Sequence, residues 1–127
     1  MKSKYEKYTI KLKIPQDIEV KIELIRKIAP LTIQAILKNL PFNTRIKKYR
    51  KQIILYFPIK FKAEKTTVNV KRSDVAYWPL SQALCIYLED MQTSSPVILV
   101  GKVTEGLNLL AKIASGTGVI ISEINEN

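Results

Sequence analysis

Tyr8-Thr9-Ile10-Lys11-Leu12-Lys13-Ile14-Pro15-Gln16-Asp17-Ile18-Glu19-Val20-Lys21-Ile22-Glu23-Leu24 is the stretch on which the fold turns. Its apolar members recur at every second position, Tyr8 to Ile14 and again Ile18 to Leu24, with Lys, Thr and Glu between them. Period-two alternation is the pattern of a strand with one face in a core and one in water. Pro15-Gln16-Asp17 interrupts it with turn chemistry, so the two runs read as an antiparallel hairpin.

Downstream the period changes. Ile33, Ile36, Leu37 and Leu40 lie at helical spacing after Ala29-Pro30. Proline suits the first turn of a helix, and Pro41 cannot continue one. The spacing predicts a helix from about Pro30 to Leu40 packed on a sheet. Asn43 to Gln52 is the most basic stretch, and its run Arg45 to Lys51 reads as a solvated loop. Ile53 to Phe57 reads as a buried strand, Phe61 to Lys65 as a loop or sheet edge, and Thr66 to Val70 as a short strand. Lys71 to Asp74 is a turn. Val75 to Trp78 and Ala83 to Leu88 are strand-like, around Pro79-Leu80-Ser81. Thr93-Ser94-Ser95 reads as a loop, Pro96 to Val103 as the most apolar strand, and Gly106 to Ile113 as a short helix. Gly116 and Gly118 end that helix, and Val119 to Ile124 makes a last strand. Many short strands with two helices predict a mainly β barrel or sandwich.

The 127 residues fit one domain, 1–127, with its core at about 8–124 and loose ends at Met1 to Lys4 and Asn125 to Asn127. The single cysteine, Cys85, closes no internal disulfide, and the absence of histidine removes His-dependent triads, Cys–His pairs and His-ligated metal sites. The acids are scattered, so no metal site and no cofactor is expected. The basic start gives way to alternation at Tyr8, unlike a signal peptide, and the longest apolar runs fall far short of a membrane span. A cytoplasmic protein without membrane contact is the expectation. A net charge of +10 favours weak, non-specific polyanion binding.

Three groups of residues then resemble one family. Val20-Lys21-Ile22-Glu23-Leu24 with Ala29-Pro30-Leu31-Thr32 is similar to the second strand and first helix of cyclophilins, where F/I-E-L precedes A/V-P-x-T. Val100-Gly101-Lys102-Val103-Thr104-Glu105-Gly106-Leu107 is similar to their F-G-K-V-x-E-G-M/L stretch. Leu55-Tyr56-Phe57-Pro58, Ser73 to Pro79 and Ala83-Leu84-Cys85-Ile86-Tyr87 resemble the short cyclophilin-like proteins of bacteria and archaea, where glycine is preferred at the position of Ser73. The resemblance covers about Tyr8 to Ile124. It implies a closed eight-stranded antiparallel β-barrel with two short helices, one over each end.

The chemistry of the family does not follow. Cyclophilins stabilise a twisted proline amide with the arginine of an F-H-R motif. The comparable region, taken as Ile53 to Phe61, has no arginine, and the histidine and tryptophan that precede F-G-K-V in the family have no counterpart in the Met91 to Ser95 segment. Ser81-Gln82 resembles the S-Q that opens a strand along the cyclophilin groove. No catalytic residue is assigned.

Two candidate sites remain. Tyr56, Phe57, Tyr77, Trp78, Pro79 and Gln82 offer aromatic surface with a few polar groups, the composition of a site for a peptide or small ligand. Alternation alone would instead put one of Tyr77 and Trp78 in the core. Arg45, Lys47, Lys48 and Arg50 are candidates for holding an anion, Tyr49 among them for stacking on a base, and Arg45 or Arg50 for replacing the missing arginine. Cys85, between Leu84 and Ile86, reads as a buried, inert thiol. Gly116-Thr117-Gly118 lacks the ending and context of a phosphate loop. These residues point to a non-catalytic binding module. A divergent peptidyl-prolyl cis-trans isomerase and a basic nucleic-acid-associated protein are the alternatives.

Overall fold

The hairpin forms as its alternation dictates. In the computed structural model, residues 7–60 and 63–124 are described. Strand β1 (Lys7–Ile14) pairs with β2 (Ile18–Ile25) in the register Ile14↔Ile18 to Lys7↔Ile25. Ile10, Leu12, Ile14, Val20, Ile22 and Leu24 are buried on one face. Gln16 and Asp17 close the turn at φ 74° and 60°.

Helix α1 (Pro30–Lys38) follows with Pro30 in its first turn and Ile33 and Ile36 buried. It stops two residues before the expected Leu40. Ala29 at its N-cap carries no side-chain oxygen to satisfy the first free N–H groups. The Glu64 carboxylate supplies the cap from afar, accepting from Leu31 N at 2.9 Å, Thr32 N at 2.8 Å and Thr32 Oγ1 at 2.6 Å.

The remaining strands are β3 (Phe42–Tyr49), β4 (Gln52–Tyr56), β5 (Thr67–Val70), β6 (Asp74–Trp78), β7 (Ala83–Tyr87), β8 (Met91–Glu105) and β9 (Gly118–Ile124), with α2 (Leu107–Ala111) between the last two. The sheet order is β2-β1-β9-β3-β4-β7-β6-β8, and β8 pairs back onto β2. Eight antiparallel strands therefore close a barrel, which leaves no free edge around the ring. β5 is a ninth strand laid beside the first half of β8.

Four further expectations are corrected. The basic run Arg45 to Lys51 is not a solvated loop over most of its length, because Arg45 to Tyr49 belong to barrel strand β3. Thr93-Ser94-Ser95 lies inside β8, where β5 supplies the partner strand. Gly118 opens β9 rather than ending a helix, and α2 is shorter than Gly106 to Ile113. The expected loop at Phe61 to Lys65 falls partly on residues 61–62, and the expected loose ends fall on residues 1–4 and 125–127; these lie outside the described residues.

Two positions explain motif residues physically. Gly101 packs against β2 so closely that a Cβ there would stand 1.9 Å from the Glu23 carbonyl oxygen. Ser73 sits at φ 78°, in the left-handed region that favours glycine.

Candidate functional site

The barrel lumen is full. Ile10, Leu12, Val20, Ile22, Leu24, Ile53, Leu55, Val75, Ile86, Val100 and Ile121 are all at or near zero exposure, so ligands are confined to the outer wall and the barrel ends. Two of the six candidate ligand residues belong to this core. Phe57 is fully buried and packs edge-to-face on Phe42, with ring centroids 4.8 Å apart. Tyr77 is fully buried, and its hydroxyl donates to the Phe57 carbonyl at 3.1 Å. Burial pushes the Tyr77 phenol up, against a hydrogen bond from the Ile59 backbone.

Tyr56 and Trp78 point the other way. The ladders pair Tyr56 with Ala83 and Ala83 with Trp78, so the three stand in line across the outer wall of β4, β7 and β6. Tyr56 is 54% exposed. Trp78 is half-buried, and its indole Nε1 is shielded from solvent with no acceptor among the described residues. Around them lies a second apolar cluster outside the barrel: Val70, Ala76, Ala83, Cys85, Tyr87 and Val97, with Ile54, Trp78, Met91 and Leu99 packed against it. Sequence reasoning missed this layer. Its signal is β7 itself, Ala-Leu-Cys-Ile-Tyr, in which all five residues are buried, as in a strand covered on both faces.

Pro79 begins a single 3₁₀ turn, Pro79–Ser81, and Gln82 follows at φ 50°, ψ 55°, an uncommon left-handed conformation for a side chain of its size. The Gln82 carbonyl accepts from Phe57 N at 2.8 Å. Its side chain lines a cleft of about 610 Å³ with Ala35, Lys38, Asn39, Pro58, Ile59 and Lys60, at the end of α1. The six candidates thus divide between core, outer wall and a cleft at the barrel end. They do not converge on one pocket.

The basic candidates separate as well. In β3 the exposed positions are Asn43, Arg45, Lys47 and Tyr49, while Thr44, Ile46 and Lys48 turn inward. Arg45 Nη1 donates to the Gly116 carbonyl at 2.9 Å. Lys48 Nζ donates to the Ala111 carbonyl at 2.7 Å, at the end of α2, where a cation also complements the helix dipole. Arg50, at φ 57° in the β3–β4 turn, stacks over the Tyr49 ring at 5.4 Å. Only Arg45 and Lys47 share one exposed strand face.

Burial pushes the Cys85 thiol up to about 12 despite its hydrogen bond with Tyr87, which leaves no thiolate near neutral pH. Among the described residues no cluster of three His, Cys, Asp or Glu could hold a metal ion, and no helix is long and apolar enough to cross a membrane.

Comparison with known proteins places the fold. A family model described as cyclophilin-like matches residues 8–122. The solution structure of the hypothetical protein AF2241 from Archaeoglobus fulgidus superposes with a TM-score of 0.75 at 22% identity, covering 94% of this chain and 96% of that one. The structure of McbB in complex with tryptophan gives a TM-score of 0.70 at 15% identity over 93% of this chain, which spans only 45% of McbB. The crystal structure of the Mimivirus cyclophilin gives 0.55 at 15% identity, over 93% of this chain and 88% of that one. No curated protein matches by sequence.

Proposed function

The chain belongs to the cyclophilin-like family, and from that premise we propose that it is a non-catalytic binding module holding a short peptide or small ligand against the outer wall of β4, β7 and β6. The observation that carries this reading is the Trp78 indole N–H, shielded from solvent and without an acceptor among the described residues, beside the Tyr56–Ala83–Trp78 row. A buried donor left unpaired costs roughly 1–3 kcal/mol, a cost that a ligand carbonyl or carboxylate removes on binding. Two strand spacings separate Tyr56 from Trp78, about 10 Å, the reach of some three extended residues. The filled lumen supports an external site, and McbB, a part of which shares this fold, is in complex with a small ligand, tryptophan.

Trp78 is the only tryptophan, so its emission reports on the site. Titration with a proline-containing tetrapeptide and with a set of small aromatic amides is expected to change that emission, and Tyr56→Ala is expected to weaken the response. Ligands that bind without perturbing Trp78, and with undiminished affinity to Tyr56→Ala, refute the reading.

The isomerase alternative draws on one observation. The β3–β4 ladder runs Lys47↔Ile54 and Ile46↔Leu55, which sets Arg45 abreast of Tyr56 on the same outer wall. A protease-coupled assay on a proline tetrapeptide separates the readings: the binding module gives no acceleration, whereas an isomerase gives one that Arg45→Ala abolishes.

A further inference from the structure

A second concave site lies at the other side of Arg45, and we infer that it binds a small organic monocarboxylate with an apolar body. The cleft encloses about 570 Å³ between the β1–β2 turn, the start of β3 and the start of β9, and Lys13, Asp17, Asn43, Arg45, Gly118 and Ile120 are among its lining. This volume falls within the range of roughly 300–1,000 Å³ that small-molecule sites occupy. The inference does not rest on the aromatic row.

The ladders build the site. Lys13 pairs with Ile120, Ile120 with Asn43, and Gly118 with Arg45, so these residues form two adjacent rows on one wall. The burial alternation of β9 puts Val119 inside and Ile120 outside, and Gly118 shares the outward parity of Ile120. A Cβ at Gly118 would meet nothing within 4 Å. The missing side chain is therefore an open space beside the Arg45 guanidinium, not a concession to backbone strain.

The chemistry of the walls selects the ligand. The Gly116 carbonyl already orients Arg45, so little side-chain entropy is left to lose when its fork meets a carboxylate. Neither Arg45 nor Lys13 has an ion-pair partner among the described residues. Ile120 is 45% exposed, an apolar contact standing on the outer face between polar Lys13 and Asn43. Asp17 on the turn contributes one opposing charge, leaving the site at net +1 and disfavouring a dianion.

The test titrates the whole chain with 3-phenylpropionate, its neutral amide and inorganic phosphate, read by amide chemical shifts. The carboxylate is expected to shift Asn43, Gly118 and Ile120. Loss of a charge-assisted hydrogen bond is worth a factor of about ten or more, so the amide and Arg45→Gln should both bind at least about tenfold more weakly. A Cβ at Gly118 meets nothing, so Gly118→Val grows into the open space and should abolish binding with the fold intact. If that variant does not fold, Arg45→Gln carries the test. Equal binding of the amide, equal displacement by phosphate, full binding by Gly118→Val or Arg45→Gln, or no shift at these residues overturns the inference. Shifts at Asn43, Gly118 and Ile120 report on this cleft and Trp78 emission reports on the aromatic row, so failure here is distinguishable from failure of the aromatic-row reading.

Discussion

The Glu64 carboxylate accepts hydrogen bonds from both the hydroxyl and the backbone N–H of Thr32, 32 residues earlier in the chain. It does for α1 what a neighbouring Ser, Thr, Asp or Asn does for most helices, because Ala29 stands where that residue would be. Burial pushes the Glu64 carboxyl up, but the bonds from the Thr32 hydroxyl and from the Leu31 and Thr32 N–H groups together outweigh it, and its pKa lies below its ordinary value.

Glu64→Ala is therefore expected to destabilise the protein by about 1 kcal/mol, the usual worth of a helix cap. A carboxyl with a depressed folded-state pKa stabilises above its unfolded pKa and loses that contribution as pH falls through the folded one. The difference in Tm between wild type and Glu64→Gln should thus be present at neutral pH and shrink in acid. Parallel melts from pH 7 to 3 check it, and a gap that widens in acid contradicts the assignment.

This cap also shows where the sequence was legible and where it was not. Strict alternation in Tyr8 to Leu24 reported the β1–β2 register, and Pro30 reported the start of α1, because both signals are local. The cap was invisible because Glu64 is distant in sequence. β3 was hidden for a different reason. Its inward positions include Thr44 and Lys48, whose polar groups find the Tyr56 and Ala111 carbonyls, so the stretch looks uniformly polar although Ile46 is core. The first half of β8 carries Thr93-Ser94-Ser95 because β5, rather than a hydrophobic face, holds it. For the site, the aromatic residues were identifiable by type, but their division between lumen and outer wall depended on register.

Gly101 and Gly118 lie in strands and answer differently to a methyl group. At Gly101 the added Cβ collides with the β2 backbone at Glu23, where the two strands close the barrel. Gly101→Ala is expected to cost about 3 kcal/mol or more, at or beyond the upper end of overpacking, or to prevent folding. Gly118→Ala enters open space and should be neutral to slightly stabilising. Urea titrations of the two variants give the contrast, and equal midpoints would refute it.

Cys85 lies within the outer apolar cluster with its thiol pKa raised to about 12 by burial. Since the thiolate is the reactive form, native protein at pH 8 should leave a thiol-specific disulfide reagent unreacted for hours, and one equivalent should react on unfolding in denaturant. The labelling rate then follows global opening. Stoichiometric labelling within minutes in native buffer would place Cys85 on an accessible surface instead.

The charge makes the last test, since a chain at +10 attracts polyanions by counterion release. The sequence presents Arg45, Lys47, Lys48 and Arg50 as one cluster, yet β3 splits them between an exposed face, an inward position and a turn. Lys47→Gln should lower the salt slope of DNA binding by up to about 0.9, the worth of one phosphate contact. Lys48→Gln should leave the slope nearly unchanged and lower the Tm instead, because its amine is committed to the Ala111 carbonyl. Arg45→Gln should act like Lys47→Gln on the slope, since Arg45 also stands on the exposed face and its guanidinium keeps N–H donors beyond the one given to the Gly116 carbonyl. Binding of several labelled DNA sequences at about 50 and 200 mM salt measures all three. A large slope change for Lys48→Gln would mean that the four cations act as one patch, and tight, sequence-selective binding at the higher salt would put nucleic acid ahead of peptide and small-molecule ligands.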